Sequence, residues 1–196
     1  MQKYFHLREM LNLIDEPNRS VCRRILKEND KLFKTAPGSI HNHQNWPGGY
    51  WDHIREVMNV AVLLHQKMNP LRTLSFSLSD ALLVLFLHDL EKPWKYEARF
   101  DGELRRKKDV ETQETEHWFK DKKLYEYGII LSAEQKNAML YVHGEMKDYS
   151  SHQRMMGPLA AFCHICDVFS ARIWFEYPLK GFEDSWWPAQ RVNSER

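Results

Sequence analysis

Cysteine is scarce in this sequence: three residues in 196, an odd number. That argues against a disulfide framework and for a reducing compartment. A surplus of either charge is also missing, with 28 basic and 27 acidic residues for a formal charge of +1. Bulk, sequence-independent binding to nucleic acid needs a basic surplus, so that class of function is set aside. One local basic run, Leu104-Arg105-Arg106-Lys107-Lys108, reads as a solvated loop, with contact to a polymer backbone as the alternative. Long apolar runs are lacking too. The longest, Ala81 to Leu87, is far too short to span a bilayer, and Met1 to His6 has no apolar stretch of the signal-peptide kind. A cytoplasmic protein without membrane contact is the expectation. Neither internal repeats nor low-complexity tracts interrupt the chain.

What is present is ordinary core material, with 43% hydrophobic and 28% charged residues, enough for one domain with short decorations. Ten histidines and seven tryptophans are generous. Histidine suits metal binding and proton transfer near neutral pH. Tryptophan serves either core packing or substrate stacking.

Glycine and proline gather at a few points, and helical periodicity fills the intervals. Residues 4–14 and 19–33 are predicted as amphipathic helices parted near Pro17. A loop from Thr35 to Gly49 holds Pro37, Gly38, Pro47, Gly48 and Gly49, and Asp52 to Met68 follows as a helix. Asp80 to Leu90 is apolar nearly all round, which predicts a buried central helix capped by Ser79 or Asp80 and ended by Pro93. The polar stretch 96–109 is expected to be an exposed loop. Further helices are predicted at 110–126, at 133–146 with Ser132 and Gln135 as a capping box, and at 158–176 after Gly157-Pro158. No strand signal is comparably strong. The tail from Pro178, with Trp186-Trp187-Pro188, either packs on the body or frays.

Three features carry chemistry. His88-Asp89 ends the apolar segment, where a glycine or a cation would be usual. A buried carboxylate is expensive unless it is paired or bound to metal. A helix-end histidine with a capping aspartate is the plainer explanation. Asp167 stands alone in a second apolar helix, and Arg172, five residues on, is poorly spaced to pair with it; a basic partner elsewhere is the alternative. His53 falls in the first turn of a helix after Gly48-Gly49, a pair suited to a tight turn or a close backbone approach. Together they offer two nitrogens and two carboxylates, a mixed set suited to a first-row divalent ion. Two other patterns are set aside. His41-Asn42-His43 spells a nuclease name without its ββα context, and Cys163-x-x-Cys166 has too few companions for a four-cysteine zinc site.

The ordered set, His53, then His88-Asp89 thirty-five residues later, then the distant Asp167, resembles the HD-domain superfamily of metal-dependent phosphohydrolases. The resemblance extends over roughly residues 36–176 through His43-Gln-Asn-Trp-Pro-Gly-Gly-Tyr-Trp-Asp-His53, His88-Asp-Leu-Glu-Lys-Pro93 and Tyr141-Val-His-Gly-Glu145. It implies an all-α fold: N-terminal helices over 1–35, a single compact HD-type core over 36–177 and a short tail over 178–196. It also implies one divalent ion (Mn, Co, Fe, Ni, Zn or Mg) on His53, His88, Asp89 and Asp167. Lys92 stands where the family places a phosphate-contacting lysine, with a solvated helix-end lysine as the alternative. His143 and Glu145 are implied as proton shuttle or supporting residues, and His43, Trp46, Trp51 and Lys92 as substrate contacts. His117, His143 and His164 are candidates for a second metal. Lys92 departs from the bacterial deoxynucleotidase branch, which carries glutamate there.

The implied activity is hydrolysis of a phosphate ester or anhydride of a small nucleotide. Alternatives are a cyclic-nucleotide or RNA phosphodiesterase and a non-catalytic nucleotide-binding regulatory module. The sequence leaves the oligomeric state open, a homo-oligomer included.

Overall fold

The computed structural model describes residues 3–39, 42–98, 104–107 and 112–177. The fold is all-α, with one two-stranded ribbon. Helices α1 (Leu7–Leu11), α2 (Asn18–Glu28) and α3 (Asp30–Thr35) lead into the long α4 (Gly49–Met68). Next come α5 (Leu78–Leu87), the short α6 (Lys92–Lys95), strands β1 (Tyr96–Ala98) and β2 (Leu104–Arg106), then α7 (Gln113–Tyr127), α8 (Ala133–Tyr141) and α9 (Pro158–Val168). A π-helical turn, Phe169–Ile173, continues α9.

α5 lies at the centre because its sequence leaves it no polar face. Every residue from Ala81 to Leu87 is buried, and α5 packs against α1, α2, α4, α8 and α9. Leu7, Met10, Leu11 and Ile25 of the N-terminal helices join the same hydrophobic core as Ile54, Val57, Phe86 and Cys163. All three cysteines are free and buried, as expected of small core residues. No helix among the described residues is long and apolar enough to cross a membrane.

The sequence-based boundaries shift where local chemistry intervenes. The helix expected over 19–33 divides at Asn29, whose backbone N–H (3.1 Å) and side-chain Nδ2 (2.8 Å) both donate to the Ile25 carbonyl and so close α2. α5 begins at Leu78 under Ser77 rather than under Ser79 or Asp80. Pro93 does not end α5; it opens α6, where its missing N–H costs nothing. The stretch expected as an exposed loop holds the ribbon instead, with Tyr96 opposite Arg106 and Ala98 opposite Leu104. α8 stops at Tyr141, short of the expected 146, because Gly144 turns the chain at φ 105°. The tail over 178–196 and its tryptophans lie outside the described residues.

Two capping boxes lock together. Asp80 accepts from the Ser77 backbone at 2.9 Å, closing the N-terminus of α5, and Gln135 accepts from the Ser132 backbone at 2.9 Å, closing that of α8. The Gln135 Nε2 then donates to Asp80 Oδ1 at 2.7 Å, tying the two helix starts to each other. Each cap contributes about 1 kcal/mol. Gln135→Ala and Asp80→Ala should therefore each lower unfolding free energy by about 1–2 kcal/mol. The double variant should fall short of their sum by about 0.5 kcal/mol or more, because the residues touch. Urea unfolding of the four proteins checks this, and strict additivity would mean that the bridge between the helices contributes nothing.

Candidate metal centre

Three helices converge on one point. α4 brings His53 in its second turn, α5 presents His88 at its C-cap with Asp89 next, and α9 brings Asp167 in its last turn. The entry to α4 shows why Gly48-Gly49 stands there. Gly48 adopts φ 86°, a left-handed conformation, and a Cβ on Gly49 would lie 1.8 Å from the Gln44 carbonyl oxygen. Both uses of the glycine pair are thus realised, one at each residue.

The four donor atoms are close neighbours. His53 Nε2 lies 3.4 Å from Asp89 Oδ2 and 3.2 Å from Asp167 Oδ1. His88 Nε2 lies 3.2 Å from Asp89 Oδ2 and 3.6 Å from Asp167 Oδ1. A first-row ion with ligands at about 2.0–2.2 Å holds adjacent donors about 3.0–3.5 Å apart; His53, His88 and Asp167 form one set whose donor atoms all lie within 4.8 Å of one another, and Asp89 stands beside both histidines. The far nitrogens of both rings are already committed. His88 Nδ1–H donates to the Leu85 carbonyl at 2.7 Å. Ser170 gives its proton to Glu56 Oε2 at 2.7 Å, so the 3.0 Å contact between His53 Nδ1 and Ser170 Oγ is donated by the imidazole. Each Nε2 is therefore aimed inward, held as metal-ligating histidines are held by an outer partner. His53 Nε2 and His88 Nε2 are fully buried with no hydrogen-bond partner among the described residues beyond their contacts to the two carboxylates. Two inward imidazole nitrogens facing two carboxylates at one point could hold a cation.

Electrostatics point the same way. Burial alone would lower the His88 imidazole, but Asp89 and then Asp167 more than offset this and hold it up to about 10. Burial pushes the two carboxylates up. At Asp89, His88 and Lys92 overcome it, and at Asp167 the two histidines do, so both sit well below the ordinary carboxylate range. The His88 imidazole thus favours its charged form beside the two carboxylates. Lys92 Nζ stands 2.6 Å from Asp89 Oδ2. Burial lowers its ammonium, and Asp89 raises it further than that, above the usual lysine value.

Beside the donors opens a cavity of about 300 Å³ lined by His43, Lys92, Lys95, His143 and Arg172, among others. His43 stacks on His53 with ring centroids 4.6 Å apart. Burial, then the His53 and Lys92 charges, push it down to about 3. It is neutral, donates from Nδ1 to Gln44 Oε1 at 2.7 Å, and turns Nε2 toward Lys92 Nζ at 3.5 Å. His143 is the accessible histidine, 42% exposed, with Nε2 3.4 Å from Asp89 Oδ1. His88, Asp89 and His143 form a second set of donors that overlaps the first. His164 also lines the cavity, whereas His117 lines a separate cleft between α7 and α8.

Three expected site residues are placed elsewhere. Trp51 is core, 2% exposed, under the Lys34 ammonium. Trp46 directs its indole N–H to Asp52 Oδ2 at 2.7 Å. Glu145 accepts from the Met156 backbone at 2.8 Å and faces a cleft with Ser150 and Arg154. The turn at Gly144 separates it from His143. Gln44, Glu56 and Ser170 were not singled out by their sequence. Their signal is faint: Glu56 and Ser170 each follow a donor by three residues on the same helical face. Gln44 carries none, since a loop glutamine in a polar stretch has no pattern.

The chain matches no protein-family model, no curated protein and no solved structure. Chemistry is therefore argued from the geometry. Manganese should raise the melting temperature of chelated wild type, by a stabilisation of about 2.7 kcal/mol at a hundredfold excess over Kd. Asp167→Ala and His53→Ala should erase that increment. Asp89→Ala should erase it too and also destabilise chelated protein, since it strands the buried Lys92 charge. A wild type whose melting ignores manganese, cobalt and zinc would dismiss the centre.

Proposed function

We propose that this protein is a metal-dependent phosphohydrolase of the HD type, acting on a phosphate ester or anhydride of a small nucleotide. The observation that supports it best is the meeting of the buried His53, His88, Asp89 and Asp167 with a cavity whose wall carries Lys92, Lys95 and Arg172 beside the acids Glu91 and Glu116. His53, His88, Asp89 and Asp167 would hold the divalent ion, which when bound would supply Lewis acidity and a water acidified toward a pKa of about 7. The remaining steps belong to the chain's own residues. Lys92, held over the cavity by Asp89, stabilises charge developing on phosphoryl oxygens. His143, accessible and next to Asp89, is placed to carry a proton between the centre and solvent. Neutral His43 positions the Lys92 ammonium by accepting from it. The small volume of the cavity favours a mononucleotide over a polymer, and the buried free thiols suit a reducing, cytoplasmic setting.

The test is a panel of nucleoside mono-, di- and triphosphates and cyclic nucleotides, assayed with manganese or cobalt after chelation, with the products resolved. Expected are metal-stimulated release of phosphate, pyrophosphate or triphosphate, and a loss of at least a hundredfold in Lys92→Ala. Activity confined to cyclic nucleotides would replace the reading with a phosphodiesterase. Tight binding without turnover in metal-loaded protein would replace it with a regulatory module.

A further inference from the structure

Three permanent cations line the cavity: Lys92, Lys95 and Arg172. Two are already compensated, Lys92 by Asp89 and Lys95 by Glu116. Arg172 is exposed and, among the described residues, has neither an ion pair nor a side-chain hydrogen bond. A guanidinium on a charged cavity wall with no partner of its own is available to an incoming anion. Five planar N–H donors in a fork suit a phosphoryl group, which they can hold through two parallel hydrogen bonds.

Arg172 reaches this wall through an unusual backbone. In a continuous α-helix a residue five positions after Asp167 faces away from it, because neighbours on a face lie three or four apart. Past Val168, however, the helix widens into the π turn Phe169–Ile173, closed by the Trp174 N–H on the Phe169 carbonyl at 2.9 Å. Each wider turn takes more residues, so the fifth position comes back toward the face of Asp167. Both residues then line the same cavity. Single π turns of this kind recur at functional sites. The turn also seats Ser170 inward, where it anchors His53. One irregularity thus serves a donor on the inside and a cation on the cavity wall.

We infer that Arg172 is the phosphoryl-binding residue of this cavity, clamping non-bridging oxygens of the substrate's phosphate opposite the metal donors. The inference rests on the phosphohydrolase reading of the same site. It adds that recognition runs through the charge and shape of the phosphate rather than through the base. Neither Trp46 nor Trp51 is among the described residues that line the cavity, which is at the lower limit of ligand-pocket volumes, about 300 Å³.

Inorganic phosphate is the probe. It is titrated calorimetrically into wild type, Arg172→Ala and Arg172→Lys, each with and without manganese, and manganese affinity is measured separately. Arg172→Ala should weaken phosphate on the order of ten- to a hundredfold, the range for a hydrogen bond to a charged group. Arg172→Lys should recover only part of that, because an ammonium keeps charge without the fork. Manganese affinity should be unchanged in both. Equal phosphate affinity in wild type and Arg172→Ala overturns the inference. So does a parallel loss of manganese, which would make Arg172 structural, and so does a wild type that binds no phosphate. A wild type that ignores manganese but still loses phosphate affinity on Arg172→Ala would instead sink the metal-hydrolase reading and leave the anion site standing.

Discussion

The burial of Asp89 and Asp167 inside an apolar helical body is the constraint to which the surrounding structure answers. Moving a carboxylate out of water costs several kcal/mol unless positive charge meets it. Here the compensation is layered. The His88 proton, or a cation in its place, faces both acids, and Lys92 braces Asp89 from the cavity side. Glu91, buried two residues on, is raised above the usual range by burial and by Asp89. Lys120 reaches in from α7 to donate to the His88 carbonyl at 2.9 Å, satisfying the C-terminal end of α5 where its dipole is negative. The helix that carries the pair can be apolar on every side because its polar end is fully provided for.

This division explains what could be read from the sequence. The central helix was legible because an unbroken apolar segment from Ala81 to Leu87 has only one stable environment. The buried histidine–aspartate cluster was legible because charges in such segments violate the usual pattern and demand a reason. The glycine pair was legible for the same kind of reason, since a left-handed turn and a near-contact exclude a side chain. The chain does not advertise features set by long-range contact. Nothing around Asn29 in the sequence marks the division of the helix there, which depends on a side chain folding back on a carbonyl. The ribbon at Tyr96–Arg106 pairs two short charged segments, too brief for an alternating pattern to register. The π turn is invisible to a search for periods of 3.6. With it went Arg172, whose spacing from Asp167 looked unhelpful only on the assumption of a regular helix.

The residues that support His53 sit in the same blind spot. Gln44 is buried in a loop, at φ 41°, and its single amide nitrogen lies within 3.2–3.4 Å of oxygens on Glu56, Ser170, Trp174 and Tyr177. Its backbone N–H also donates to the Phe175 carbonyl at 2.8 Å. The loop before α4 is therefore fastened to the π turn and the residues just beyond it. Donor orientation at the centre depends on a junction between an early and a late part of the chain.

That junction has a consequence for the order of events during synthesis. Gln44 and Ser170 are 126 positions apart, and the last donor, Asp167, emerges from the ribosome long after His53, His88 and Asp89. An unfinished chain holds three of the four donors in a core that lacks α9, with His53 not yet oriented by Ser170. Non-local closures of this length are entropically slow to form. On the proposed metal-centre reading, ion capture would follow synthesis: the donor set is completed only when the chain's late segment closes over its early one, and a nascent chain would offer passing metals no finished cage.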